Sequence, residues 1–284
     1  MQWWNRLKSI LTSKLQIKSS LTKLPPNELS ICFVENGGLG DCLILFPLLE
    51  QIKQQAPCPL QIDFFSKFGN KFHAFPFLRA IYPSPKDVTC LSNQYDVVFV
   101  QLRHAHVLSA NEPKVQQLYP KLFEFIATDK KLKNNPSIYN NFRLFNEYAL
   151  LLNCKRTDQR DIFHIFGKIP AWNWPIHTPE KEVLKKFHLN SKQYITLSRG
   201  VDSVYNENHP KLWPLAYYNQ LIELLKQKYP QLQLIQVESS TVYGTMQNST
   251  FNLTGKTNFD EIAIILKNAL IHIDVEGGLV HLNH

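Results

Sequence analysis

Three short segments of this chain carry residues whose types and spacing could bind an anionic ligand. The first is ENGGLGDC, in which Gly37, Gly38 and Gly40 follow an apolar run and Asp41 opens a helical pattern. Glycines permit a tight turn and a close backbone approach to a ligand, and the start of a helix presents free N–H groups to anions. The spacing is not GxGxxG, so no dinucleotide fingerprint is predicted. The local pattern also fits a helix cap at Asp41, a role that Asp commonly fills.

The second segment ends the apolar run YITL and continues to the next helical pattern. It contains Ser198, Arg199 and Gly200, and later Lys211. A planar guanidinium and a compact ammonium group could together clamp a diphosphate. The alternative is that Arg199 and Lys211 are two solvated surface cations, and composition alone favours that alternative.

The third segment is DVEGGLVHLNH, the last part of the sequence. Gly277–Gly278 precede a helical pattern and predict a helix N-terminus that is open to an anion. Asp274 and Glu276 imitate an acidic metal-binding pair, while His281 and His284 have the spacing of one helical face. A metal site needs more ligands than either pair supplies, so we predict no metal and no other cofactor.

The elements that must position these segments alternate between strands and helices. Apolar runs such as LSICFVE, LQIDFF and YDVVFVQL predict buried strands, and EPKVQQLYPKLFEFIA and NFRLFNEYALLLN predict helices. The pattern breaks at GKIPAWNWPIHTPEKE and restarts with YITLS, LAYYNQLIELLKQKY, LQLIQV, FDEIAIILKNA and LIHID. We predict an α/β fold with two doubly wound Rossmann-like domains, residues 28–170 and 171–284, after a basic amphipathic arm at 1–27. Ligands in such sheets bind beyond the carboxyl ends of the strands.

Composition narrows the class of partner. The net charge of +8 and the pI of about 9.1 favour an acidic membrane surface, a phosphorylated substrate or a nucleic acid. The sequence shows no nucleic-acid recognition motif, so we predict no nucleic-acid partner. Five dispersed cysteines predict neither a disulfide framework nor a zinc site. Since no signal peptide or membrane-spanning run is found in the sequence, we expect a cytoplasmic location.

The amino-terminal arm, MQWWNRLKSILTSKLQIKSSL, combines Trp3, Trp4 and several aliphatic residues at helical spacing with lysine and arginine. This composition is typical of an interfacial membrane helix. Packing of the helix on its own protein or on a partner would explain the pattern equally well. Membrane contact through residues 1–24 would place the protein at the inner face of the cytoplasmic membrane.

Together the three segments resemble glycosyltransferase family nine, the enzymes similar to ADP-heptose:lipopolysaccharide heptosyltransferases. GGLGDCLILFP is similar to the family's first-loop pattern GD-x-(apolar)-x-x-x-P, and SRG…HPKLWP is similar to its PG…KxWP segment. The longest similarity joins NLTGKTNFDEIAIILKNALIHIDVEGGLVHL to the family pattern LAGKTSLxELAxLLxxAxLxxxxDSGPMHL. The three similarities cover both predicted domains.

The resemblance implies a GT-B fold, in which two Rossmann-like domains face a cleft and the C-terminal one holds the donor. It implies that Asp41 is the general base, beside an acceptor-side loop, and that Lys211 binds the donor phosphates. The donor site would also include Ser198, Arg199, Gly200, Glu276, Gly277, Gly278, Leu279 and His281. Two departures are visible, because Arg199 replaces the family's usual proline and Glu-Gly-Gly-Leu replaces its Asp-Ser-Gly-Pro.

These observations lead to one hypothesis and one alternative. The hypothesis is an inverting, metal-independent glycosyltransferase that moves a heptose or related sugar from a nucleotide-diphosphate donor such as ADP-heptose. The acceptor would be a lipopolysaccharide core or a lipid-linked surface glycan. The alternative is a catalytically silent relative that binds a nucleotide sugar or a protein partner. The resemblance predicts a further strand and helix after His284, so we expect the C-terminal domain to be incomplete.

Overall fold

The computed structural model describes most of the chain from residue 25 onward, in two compact units. The described residues are 25–69, 72, 75–101, 105–134, 147, 149–154, 160–168, 174–199, 212–238, 244–275 and 277–282. The first unit gathers the residues up to Glu35 with Leu49–Ser66 and Pro76–Gly167. The second gathers Asn36–Leu48, Lys67–Phe75 and the residues from Lys168 onward. Residues 1–24 of the predicted arm lie outside the described residues.

The first unit contains a mostly parallel sheet with the strand order β3-β2-β1-β4-β5. Its strands are β1 (Leu29–Glu35), β2 (Leu60–Ser66), β3 (Ala80–Tyr82), β4 (Val97–Gln101) and β5 (Ala105–Ala110). Only β5 runs antiparallel to its neighbour among these strands. Every residue of β1 is buried, as expected for a parallel strand that is covered on both faces. The strands predicted from LSICFVE, LQIDFF and YDVVFVQL are therefore confirmed.

Six helices have bounds within the described residues. They are α1 (Leu39–Gln54), α2 (Glu112–Leu118), α3 (Pro120–Lys133), α4 (Glu180–Lys186), α5 (Leu215–Lys228) and α6 (Phe259–Asn268). Short 3₁₀ helices lie at Val88–Asn93 and Gly278–Leu282. A helix with the length and apolarity that a bilayer crossing requires is not found in this part of the chain.

The helical pattern predicted from EPKVQQLYPKLFEFIA is confirmed, and it forms two helices, α2 and α3. The break falls at Tyr119, which has φ −144° and ψ 76°. Pro120 causes it, since a proline lacks the N–H that a continuous helix needs and disfavours the α conformation in the residue before it. Of the helix predicted from NFRLFNEYALLLN, the structure describes residue 147 and residues 149–153, and residues 147 and 149–151 are helical.

The second unit contains a four-stranded parallel sheet with the order β8-β7-β6-β9 among the described strands. The strands are β6 (Tyr194–Leu197), β7 (Gln233–Gln236), β8 (Phe251–Asn252) and β9 (Ile271–Ile273). Helix α5 buries Tyr218 and Ile222 in the core beneath this sheet. Because all four strands are parallel, their carboxyl ends lie at one edge of the sheet, where the predicted donor segments begin.

The Pro/Trp-rich stretch that interrupts the sequence pattern packs into the second unit where it is described. Trp174 is 7% exposed, and its Nε1–H donates a hydrogen bond to Asp260 Oδ1 at 2.9 Å. The other oxygen of Asp260 accepts the N–H of His177 at 3.0 Å. Phe259 packs against the indole, with ring centroids 5.6 Å apart. Asp260 therefore fixes this stretch to the start of α6.

Candidate active site

The glycine-rich loop after β1 leads directly into α1. The carbonyl of Gly38 accepts the N–H of Asp41 at 3.1 Å, and Asp41 Oδ2 accepts the N–H of Gly38 at 3.0 Å. Asp41 therefore lies in the first turn of α1 and closes that turn as the acid of a capping box does. The capping interpretation of Asp41 is correct for this carboxylate oxygen, and the residue as a whole is half-buried. Capping fixes the direction of the carboxylate and does not exclude a second role.

This loop is in close contact with the last described segment of the chain, inside the second unit. A Cβ atom placed on Gly40 would lie 2.6 Å from Cδ2 of His281, and one placed on Gly278 would lie 2.8 Å from Cβ of Leu39. At distances below 3 Å a neighbouring group must move, so a side chain at Gly40 would displace His281 and one at Gly278 would displace Leu39. The fold thus brings residues 36–41, the Asp41 loop, into contact with the predicted donor loop around Gly278, which is far away in sequence.

Ser198 and Arg199 follow β6 and are both buried, with 1% and 6% of their surfaces exposed. The N–H of Ser198 donates to the carbonyl of Ile273 at 2.9 Å, which joins the end of β6 to the end of β9. The N–H of Arg199 donates to Glu238 Oε1 at 2.8 Å, and its Nε–H donates to the carbonyl of Trp213 at 2.9 Å. The alternative that Arg199 is a solvated surface cation is therefore wrong, because the parallel topology places this residue among three strand ends.

Two buried carboxylates at the same edge were not predicted as ligand-binding residues. Glu238 follows β7 and Asp274 follows β9, and Glu238 Oε2 and Asp274 Oδ1 are buried without a hydrogen-bond partner in the described structure. Burial raises the pKa of both carboxyl groups above their ordinary values, and the charge of Asp274 raises the pKa of Glu238 further. Their signal in the sequence is an acid directly after an apolar run, in LIQVE and LIHID. The sequence pattern suggested for Asp274 only the role of a metal ligand, in an acidic pair with Glu276.

The remaining predicted donor residues are partly described. The N–H of Gly277 donates to the carbonyl of Val275 at 2.6 Å, and Leu279 and His281 are half-buried in the 3₁₀ helix Gly278–Leu282. The predicted helix start is thus a helix of five residues, too short for a large macrodipole. Four predicted residues lie outside the described residues: Gly200, Lys211, Glu276 and His284. Among the described residues, no group of three or more His, Cys, Asp or Glu could hold a metal ion.

The sequence matches the model of one protein family, and the fold matches several solved structures. Residues 133–284 match glycosyltransferase family 9 (heptosyltransferase). No curated protein sequence matches the chain.

Three solved structures share the fold at low sequence identity. The ADP-heptose LPS heptosyltransferase II of E. coli is 13% identical, with a TM-score of 0.51 over 90% of this chain and 81% of that one. A family 9 glycosyltransferase from Veillonella parvula is 13% identical, with a TM-score of 0.54 over 92% and 79%. E. coli heptosyltransferase WaaC, solved with ADP-2-deoxy-2-fluoro heptose, is 14% identical, with a TM-score of 0.50 over 90% and 85%. These likenesses confirm the predicted α/β fold of the GT-B type.

Proposed function

This chain belongs to glycosyltransferase family 9, the heptosyltransferase family, and we propose that it transfers a heptose or related sugar with inversion. The donor would be a nucleotide-diphosphate sugar, and the acceptor a lipopolysaccharide core or a surface glycan. The observation that carries the proposal is the contact between the Asp41 loop and the Gly278 loop in one compact unit. The WaaC structure with an ADP-heptose analogue supports ADP-heptose as the donor.

The proposed reaction is a single displacement at the anomeric carbon. An acceptor hydroxyl attacks that carbon, Asp41 takes the hydroxyl proton, and the bond to the diphosphate oxygen breaks with inversion. The departing diphosphate carries the new negative charge. Arg199, Lys211 and the backbone N–H of Gly278 would stabilise it. The Gly38 N–H would keep the Asp41 carboxylate in a fixed direction for the proton transfer.

The donor nucleoside would lie against the buried acids at the edge of the second sheet. In doubly wound sheets an acid near a strand end accepts hydrogen bonds from ribose hydroxyls. Glu238 is placed for this role, because it follows β7 and its Oε2 atom has no protein partner within the described structure. A hydroxyl would complete the hydrogen bonding of that oxygen. We propose that donor binding requires no divalent cation, which calorimetry with ADP in the presence and absence of EDTA would test.

The decisive experiment replaces the proposed base, in Asp41→Asn. The amide oxygen can still accept the Gly38 N–H, so α1 keeps its cap, but an amide cannot take a proton. We expect turnover of ADP-heptose on a core-oligosaccharide acceptor to fall about 10²–10⁴-fold, while ADP affinity and the melting temperature stay close to those of the wild type.

The matched control for this variant is Asp87→Asn. Asp87 also caps a helix, by accepting the N–H of Thr89 at 2.9 Å, and it belongs to the other unit. It should leave turnover unchanged. Wild-type turnover by the Asp41→Asn variant would reduce Asp41 to a cap and would remove the proposed mechanism.

We also propose that residues 1–24 attach the enzyme to the inner face of the cytoplasmic membrane, near a lipid-linked acceptor. The support is the Trp/Leu and Lys/Arg composition of this arm. Flotation with anionic liposomes should fall strongly for a protein that lacks these residues. Equal flotation of both proteins would contradict membrane contact through the arm.

A further inference from the structure

Asp274 connects the two strand ends from which the proposed donor site is built. Its Oδ2 atom lies 3.4 Å from Nε2 of His272, and its carboxylate also receives hydrogen bonds from the Ser198 side chain and the Val275 N–H. Ser198 follows β6 just before Arg199. Val275 begins the loop of residues 275–278, which we call the glycine loop. One carboxylate therefore joins the Arg199 segment to the glycine loop.

We propose that Asp274 is a positioning residue that fixes the glycine loop to the end of β6, and that His272 holds its carboxylate in place. The proposal rests on the proposed function only where it concerns donor binding. Asp274 falls on an unspecified position of the family pattern, so its role here is inferred from its contacts.

His272 is itself held from the other side. Its Nδ1 atom lies 2.9 Å from the hydroxyl oxygen of Thr196, so both ring nitrogens are engaged. When His272 is neutral, the carboxylate requires Nε2 to carry the hydrogen, and the Thr196 hydroxyl then donates to Nδ1. The side chains of His272 and Asp274 are only 3% and 1% exposed, and Thr196 is fully buried. A buried chain of three groups thus runs along the sheet to its ligand-binding edge.

The location of these three hydrogen-bonded groups indicates that they position the glycine loop and do not simply stabilise the fold. Asp274 Oδ1 is buried without a partner, which costs free energy, and a well-packed apolar residue would avoid that cost. The segment after Asp274 also packs closely against Gly40, where an added Cβ atom would displace His281. A shift of this segment would move Arg199, the backbone N–H of Gly278 and the Asp41 loop relative to one another. Displacements of about 1 Å in such sites can cost about 100-fold in rate.

The test uses Asp274→Asn with Asp260→Asn as the matched control. Asp260 is a buried aspartate of the same unit, but it fixes Trp174 to α6 instead of holding the glycine loop. In the ligand-free protein, we expect amide hydrogen exchange in residues 275–282 to become about 10-fold or more faster in Asp274→Asn. The Asp260→Asn variant should exchange there like the wild type. In the same comparison, ADP affinity and the donor KM should worsen about 10–100-fold for Asp274→Asn alone, with a smaller change in kcat.

Two further variants keep the test decisive if Asp274→Asn folds poorly. Thr196→Val is nearly isosteric and removes only the outer hydrogen bond to His272, so it should shift exchange and ADP affinity in the same direction by less. A double variant, His272→Gln with Asp274→Asn, should be little worse than Asp274→Asn alone, because the two residues act as a unit. Unchanged exchange in both Asp274→Asn and Thr196→Val would overturn the proposal. If the wild type fails to bind ADP, the proposed donor is wrong, and the exchange measurement alone decides the positioning role.

Discussion

One buried carboxylate of the first unit, Asp63, contrasts with two buried carboxylates of the second, Glu238 and Asp274. In the first unit, Asp63 of β2 is fully buried, and both of its oxygens have donors. Arg79 donates from Nε to Oδ1 at 2.9 Å and from Nη2 to Oδ2, and the Tyr95 hydroxyl donates to Oδ2 at 2.6 Å. In the second unit, Glu238 and Asp274 each keep one buried oxygen without a partner, and their like charges oppose each other.

This difference separates a structural acid from acids that are suited to a ligand. A buried carboxylate that is paired and fully hydrogen-bonded recovers much of its desolvation cost, whereas one that lacks partners does not. In the second unit, the desolvated carboxylates without full hydrogen bonding lie at the edge of the sheet where the carboxyl ends of the parallel strands meet. Ligands bind at this edge in doubly wound sheets. Ligand hydroxyl groups could complete the hydrogen bonding there.

The largest expected effect on the free energy of unfolding comes from removing Asp63, the fully hydrogen-bonded carboxylate. Asp63→Ala leaves the Arg79 guanidinium and the Tyr95 hydroxyl without their acceptor, so we expect the free energy of unfolding to fall by about 3 kcal/mol. This is the low end of the usual range, because the Arg79 side chain is 25% exposed and can reach water. Urea denaturation would measure the loss. As a control, Lys130→Met breaks the exposed ion pair with Glu112 and should cost less than about 0.5 kcal/mol.

A second prediction tests whether tight packing between the Gly40 loop and the His281 segment stabilises the second unit. Gly40→Ala forces a methyl group against the His281 ring, and we expect a loss of about 2 kcal/mol because the neighbouring loop must move. Gly38→Ser is the matched control in the same loop. Its Cβ atom would meet only Asp41 Oδ2, at an ordinary 3.6 Å, and serine caps helices well, so its cost should be close to zero. Equal melting temperatures for the two variants would show that the two loops are not tightly packed.

The smallest expected effect concerns pH. Because the pKa of Glu238 is raised in the folded protein, the native state keeps a proton that the unfolded chain has already released. The free energy of unfolding therefore falls as pH rises from the ordinary carboxyl pKa of about 4 to the raised value. Glu238→Gln removes this term, so the variant should gain stability relative to the wild type across that range. The gain is up to about 1.4 kcal/mol for each unit by which the pKa is raised.

Two observations make the pH measurement specific. Asp161 and Asp274 also have raised pKa values, chiefly through burial, so part of the slope should remain in Glu238→Gln. Glu180 is the control of opposite sign, because the Lys267 ammonium lowers its pKa. Its stabilising effect is present above the ordinary carboxyl pKa and is lost as the pH falls through the lowered pKa. Glu180→Gln should therefore be slightly less stable than the wild type near neutral pH and should converge with it in acid. Stability curves for Glu238→Gln that run parallel to those of the wild type would contradict a raised pKa.

The sequence predicted the elements well where one local signal decides the structure. Buried parallel strands such as β1 and β6 are continuous apolar runs, and α6 begins with the capping residues Asn258 and Glu261. The break at Pro120 was also readable, because proline ends a helix by local sterics. The residues on both sides of Pro120 keep a helical periodicity, so periodicity alone does not indicate the break between α2 and α3.

The sequence could not predict which strand ends meet. Arg199 looks like a surface cation until β6 lies between β7 and β9, and only that order places Glu238 and Asp274 on either side of it. The contact between Gly40 and His281 is likewise invisible in local patterns, because it depends on the packing of distant segments. The grouping of Asn36–Leu48 with the residues from Lys168 onward likewise depends on contacts between segments that are distant in sequence.

The close approach of Gly40 and Gly278 has a consequence for how this gene can change. A mutation to any larger residue at either position pushes against the opposite loop, through His281 in one case and Leu39 in the other. Such a mutation can be accepted only with a compensating change in that opposite loop. Across related chains, the residue types at these two positions should therefore vary together, and a chain that has lost one glycine should carry a rearranged partner loop. Covariation between positions 40 and 278 would be evidence that this contact is maintained in evolution.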